Sequence, residues 1–133
     1  MLTYDQIWST FLDDYKVNDA DLPQTSERIY QDIHNAVRKL NNRLRLNLIC
    51  KDDIEAVEGT NCNDHLILIA QYIRLIYLNN AIVLYTSLYQ PISQDVGIKN
   101  YSSQMVNLRE AVLNQESDIE DYIFNMREDF IWL

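Results

Sequence analysis

The side chains best suited to chemistry near neutral pH are His34, Cys50, Cys62 and His65. Cys62 and His65 stand in a C-x-x-H spacing, with Cys50 a short way upstream. A structural zinc site takes four ligands, and His34 is the one further soft donor, far back in the chain. The set lacks paired spacing, so no metal ligands and no cofactor are expected. His34, in "DIHNAV" beside Ile33, is of the type that serves as a general base, yet no serine or cysteine nucleophile is recognisably placed next to it. The expected role is a partly buried, hydrogen-bonded side chain. His65 follows Asp64 at a helix start and reads as part of a cap. The acids of "SDIEDYIFNMRED" offer oxygen ligands for Mg²⁺, but they run along a helix without the Asp-x-Asp-x-Asp-Gly turn of a calcium loop. No phosphate-binding loop, dinucleotide glycine pattern, nucleophile elbow or H-E-x-x-H motif is present. The sequence predicts no catalytic residues and no enzyme.

A second kind of chemistry is phosphate recognition. "RKLNNRLR" places Arg38, Lys39, Arg43 and Arg45 within eight residues, and Asn41 and Asn42 are of the type that reaches base edges. Against a DNA reader stands the whole-chain charge, eleven basic against twenty acidic residues for a net −9. A field of that sign opposes adhesion to nucleic acid and to anionic lipid. The break before this helix is also longer than the turn of a helix–turn–helix.

The elements that must carry these residues are helical. Glycine and proline number two each in 133 residues, too few for the turns of a multi-stranded β protein. Nine tyrosines supply amphipathic rings suited to half-buried faces. Thr3 and Gln6 form a capping box before Ile7, Trp8, Phe11, Leu12 and Tyr15, which share one helical face. Thr25 or Ser26 caps a second helix on which Ile29, Ile33, Ala36, Val37, Leu40 and Leu44 recur at helical spacing, leaving its cations off the apolar stripe. Arg45 to Asn63 reads as irregular, with room for one helical turn at Asp53–Val57 or a short strand at Leu46–Cys50. Gly59 and Asn61 end whatever forms there.

"NDHLILIAQYIRLIYLNNAIVLYTSLYQ" is apolar around nearly its whole circumference. A membrane span would need about twenty clean apolar residues, and Gln71, Arg74, Asn79, Asn80 and Thr86 interrupt the run. It is expected as the central helix of a bundle, from His65 to Tyr89. After the loop "PISQDVGIKN", a fourth helix is expected from Tyr101 to Phe130. Its seam is Tyr101, Met105, Leu108, Val112, Ile119, Tyr122, Met126 and Phe130, with Gln115 where an apolar residue belongs and an acidic opposite face. The expectation is an all-α single domain, residues 1–133, a bundle of about four helices. Nothing resembles a signal peptide, and free cysteines fit a reducing compartment.

The chain "YDQIWSTFLDDYKVNDADLPQTSERIYQDIHNAVRKLNNRLR", with "DHLILIAQYIRLIYLNNAIVLY" and "DVGIKNYSSQ", resembles the small helical head–tail connector proteins of tailed bacteriophages of low-GC Gram-positive hosts. These are also called adaptor or head-completion proteins. The likeness lies in order and texture over most of the chain. It implies a virion protein made in the bacterial cytoplasm, forming a ring, commonly of twelve copies, beneath the portal. Such a ring extends the DNA channel without binding the duplex specifically, and it meets the portal protein and the next neck or tail protein. A terminal segment would reach into the portal or a neighbouring subunit. Here that is residues 127–133, ending in the apolar block Phe130, Ile131, Trp132 and Leu133.

The residues agree with a ring on separate grounds. The basic second helix (Arg38, Lys39, Arg43, Arg45) and the acidic fourth (Glu116, Glu120) supply the unlike faces of a heterologous contact. A cytosolic helical regulator or anti-host protein docking on one partner is the alternative. A DNA-binding protein using the second helix is the next.

Overall fold

The computed structural model describes residues 1–14, 25–89 and 98–131, with side chains for all of these but 87–89, 98–102 and 127–131. Four helices and three very short strands follow one another as β1 (Leu2–Thr3), α1 (Tyr4–Asp14), α2 (Ser26–Leu44), β2 (Ile49–Lys51), β3 (Ala56–Glu58), α3 (Asn63–Tyr89) and α4 (Ile98–Ile131). The protein is mostly α-helical, as its composition requires. It divides into two compact units, Met1–Arg74 and Leu75–Leu133.

Local chemistry sets the helix starts. The Thr3 hydroxyl accepts from the Gln6 amide at 3.1 Å while the Thr3 amide donates to Gln6 Oε1 at 3.0 Å. This reciprocal pair is the expected capping box. Thr25 is the N-cap of α2, its hydroxyl accepting from the Arg28 amide at 3.3 Å. The far end of α2 closes on Arg45 in the left-handed conformation, φ 58°. That lets the Leu46 amide reach back to the Asn41 carbonyl at 3.1 Å.

The segment from Arg45 to Asn63 is more ordered than its sequence suggests. β2 and β3 form an antiparallel hairpin, with Cys50 opposite Val57, and β1 pairs on the other side of β3. The helical turn considered at Asp53–Val57 is absent, because Ala56 and Val57 are extended and buried in the sheet. Strands of two or three residues show no periodicity, and they stand here because one side packs on the core. Gly59 follows β3 at φ 103°, where a side chain is strained, and a Cβ would come within 3.2 Å of the Leu48 side chain.

The core of the first unit draws on α1, α2, β3 and the first part of α3. Ile7 and Phe11 from α1, Ile33, Ala36 and Leu40 from α2, Val57 from β3, and Leu68, Ile69 and Ile73 from α3 are fully buried. α1 packs on α2 and β1, and α2 packs on β2. Each large side chain so buried contributes roughly 1.5–3 kcal/mol.

The second unit holds the end of α3 and all of α4. α4 begins three residues earlier than expected and continues to Ile131. Its buried positions include Met105, Val112, Ile119 and Ile123, and Gln115 is buried among them. The amide thus occupies the seam position its register assigns, despite its polarity. α3 is long and apolar enough to cross a membrane by length and composition, over Asn63–Thr86, with 33% of its 18-residue apolar window buried.

Candidate functional site

Two features of the described residues are candidates, a polar cluster in the first unit and an apolar line on α4. The cluster begins with Tyr4, the residue after the capping Thr3, whose ring is buried. Its hydroxyl donates to Asp52 Oδ1 at 2.6 Å, and His34 Nε2 meets the same oxygen at 2.7 Å. The Tyr4 hydroxyl and His34 Nε2 stand 3.4 Å apart. Tyr30, one helical turn before His34, donates its hydroxyl to Glu55 Oε1 and packs its ring 5.2 Å from that of Tyr4. The Tyr4 amide also donates to the Glu55 carbonyl at 2.8 Å.

These contacts converge on the turn between β2 and β3. Glu55 holds a left-handed backbone, φ 49°, which costs a non-glycine residue about 1–2 kcal/mol. Its side chain and carbonyl each bind a tyrosine group, which offsets that cost. The cluster therefore latches the hairpin to α1 and α2. A nucleophile–base pair would require a thiol or hydroxyl giving its proton to the imidazole. Here the Tyr4 hydroxyl and the imidazole both turn to the carboxylate instead. Burial, and then donation to Asp52, holds the Tyr4 hydroxyl well above the ordinary tyrosine range. Burial likewise pushes the Cys50 thiol up, which disfavours the reactive thiolate. The hydrogen bonds from Tyr4 and then His34 hold Asp52 below the usual carboxylate range.

His34 is more exposed than expected, with 42% of its side chain open, although it is hydrogen-bonded as foreseen. His65 joins Thr60 through Nδ1 at 2.7 Å, and burial lowers its pKa. Among the described residues, no three His, Cys, Asp or Glu side chains come together in a way that could hold a metal ion.

The basic positions of α2 lie off its core face. Arg38, Lys39 and Arg45 are exposed, Arg43 is half-buried, and Arg38 donates to Asn35 Oδ1 at 2.7 Å. Asn41, a candidate base reader, is committed elsewhere. It donates to the Leu48 carbonyl at 3.0 Å and accepts from the Leu48 amide at 3.1 Å. Glu116 and Glu120 are exposed on α4. Arg43 and Glu120 each already interact within the chain. Of the proposed docking tail, Phe130 and Ile131 continue α4, their side chains not among those described; Trp132 and Leu133 lie outside the described residues.

The outer face of α4 is not simply acidic. Val106, Leu113 and Phe124 are 53%, 64% and 60% exposed. The reading by one seam missed them because acids stand between them, but their spacings of seven and eleven residues put them on one line of the helix. The end of α3 also exposes Val83 and Leu84.

The architecture and these features define a small, mostly α-helical protein whose polar cluster braces its fold and whose fourth helix shows large apolar side chains to solvent. Residues 1–128 match the family described as YomZ prophage protein. The chain is 40% identical over 131 residues to the SPbeta prophage-derived uncharacterized protein YomZ of Bacillus subtilis (strain 168), covering 98% of this chain and 100% of that one. The chain belongs to the YomZ prophage protein family. This corrects the likeness to head–tail connectors, which rested on helix order and texture without a shared motif. No solved structure matches the chain.

Proposed function

We propose that this chain works without catalysis, as a helical interaction protein of a prophage that binds another protein through the outer face of α4. The observation that carries this reading is the line Val106, Leu113 and Phe124, exposed on a well-formed helix. Soluble chains scatter single apolar residues over their surfaces, whereas aligned large ones mark contact sites. A structural place in the virion neck is the more specific form of this reading. It is favoured by exposed Arg38 and Lys39 on α2, with Arg45 exposed at its end, and by exposed Glu116 and Glu120 on α4, unlike surfaces that suit a heterologous contact in a ring. A cytosolic regulator would use the same line on α4 without a ring.

The test is the native mass of the protein in lysates of induced lysogens. The wild type should migrate well above its 15.7 kDa monomer, and Leu113→Asp/Phe124→Asp should return it to the monomer position at normal abundance. Migration with particles supports the neck, and a discrete soluble complex supports the regulator. A wild type that runs as a monomer throughout induction contradicts the interaction reading.

A further inference from the structure

α4 is apolar along two separate edges, and the chain covers one of them. Met105, Val112, Ile119 and Ile123 are buried, while Val106, Leu113 and Phe124 project from a separate line about 100–140° further round the helix. From Val106 to Phe124 the helix completes about five full turns, so the three side chains form a straight line roughly 27 Å long. Exposed Ser117 continues the line between Leu113 and Phe124. By helical register Glu110 and Asp121 border it on one side and Glu116 and Glu120 on the other, all four exposed. Among the described residues, Arg109 is the one cation in this border.

We propose that this line receives an amphipathic helix from a partner protein, one whose apolar edge is bordered by lysine and arginine. The proposal rests on the interaction reading above and adds the chemistry of the partner. A helix laid lengthwise can set apolar residues against side chains aligned over five turns, as in helix-in-groove recognition. The bordering carboxylates select its charge. Cations beside the apolar edge meet acids, whereas an acidic helix brings like charges together at the moment of desolvation. The same rule disfavours a second α4, since its own acids would face these. It also disfavours nucleic acid and anionic lipid, whose phosphates share the sign.

The probe is a labelled synthetic helix of eighteen residues, with leucine at the heptad a and d positions and lysine at e and g. Its counterpart carries glutamate at e and g. Binding to the full-length protein is read by fluorescence anisotropy at about 50 mM and about 500 mM salt, concentrations that bracket strong and weak screening. The lysine-bordered peptide should bind, and should bind more weakly at high salt. The glutamate-bordered peptide should bind about tenfold more weakly or worse. Leu113→Gln/Phe124→Gln leaves the net charge at −9 and alters only exposed side chains, and it should lose about tenfold or more of the affinity. Val106→Gln, a milder change on the same line, should lose less.

Equal binding of both peptides, or unchanged affinity in the double glutamine variant, would overturn the proposal, because the attraction would then be diffuse. Sedimentation of the protein alone separates the remaining occupant. A dimer that the double variant dissolves would replace the basic helix by a second copy, while leaving the interaction reading in place. Loss of the proposal together with a monomeric wild type in induced lysates would remove both.

Discussion

From Leu68 to Ile73, α3 buries Leu68, Ile69, Ala70, Tyr72 and Ile73; from Leu75 to Thr86 it buries Leu75 alone, and Val83 and Leu84 are mostly exposed. The two stretches look alike as sequence, apolar on nearly every side. Their difference shows that texture alone does not decide burial. The first stretch belongs to a unit with three helical segments and a sheet, enough elements to enclose a core. The second belongs to a unit with the end of one helix and the whole of another. Two helices bury a seam between apolar stripes and leave the rest of an all-round apolar helix open. The same contrast recurs across α4, where one apolar edge is buried and the other is not. Among the described residues both units expose large apolar side chains, Met1, Leu12, Ile49 and Ile54 in the first, but those of α4 fall on one line, and that is where partner contact is proposed.

The largest effect should separate the halves of α3 directly. Ile69→Asp places an uncompensated charge in the core, a cost of several kcal/mol against a typical stability of roughly 5–15. It should abolish cooperative folding. Val83→Asp, on the exposed half, should stay within about 0.5 kcal/mol of the wild type. Thermal melting by circular dichroism reads both, and a folded Ile69→Asp would break the contrast. A smaller effect sharpens it for α2 and α4. Leu40→Ala should cost about 2–5 kcal/mol, whereas Leu113→Ala should cost little in urea denaturation. If Leu113→Ala proves as costly, the outer line of α4 is part of a core.

Caps come next in size. Thr25→Ala removes the acceptor at the start of α2 and should cost about 1 kcal/mol, read as a lower midpoint in the same denaturation. The least should be the response of the latch to pH. The native chain holds the Tyr4 proton that an unfolded tyrosine releases near pH 10. Its contribution is therefore full below about pH 10 and lost as pH rises further. Asp52 behaves oppositely. Its contribution is present above the ordinary carboxylate value of about 4 and lost as pH falls through its lower native value. Tyr4→Phe should flatten the alkaline limb of a Tm–pH curve and Asp52→Asn the acid limb. Unchanged limbs would mean that these contacts do not hold the hairpin.

Much of the helical framework was legible because its signals are local. The Thr3–Gln6 box, the Thr25 cap and the spacing Ile33, Ala36, Val37, Leu40 each lie within a few turns of chain. The heptad steps of α4 placed Val112, Ile119 and even Gln115 in register, although Ile123 beside Tyr122 went unnoticed. The hairpin was hidden because strands of three residues carry no period. The latch was hidden for a different reason. Tyr4, His34 and Asp52 meet only once the core has closed, and nothing in their spacing announces it. The exposed line of α4 was present in the spacing of Val106, Leu113 and Phe124, but the acids between them drew the whole face into one solvated category. Texture also misled the comparison with connector proteins, since helix order and composition are shared by unrelated helical chains.

The most direct test of contact through α4 is the chemical accessibility of its outer line in the cell. With Cys50→Ser and Cys62→Ser removing the native thiols, Leu113→Cys supplies a single reporter at the centre of the line. Thiol labelling of the isolated protein should be fast, because the side chain it replaces is mostly exposed. In lysates of induced lysogens the same thiol should be strongly protected, while a control cysteine at Lys39→Cys on α2 keeps its rate. Fast labelling of Leu113→Cys in both settings would contradict the proposed contact.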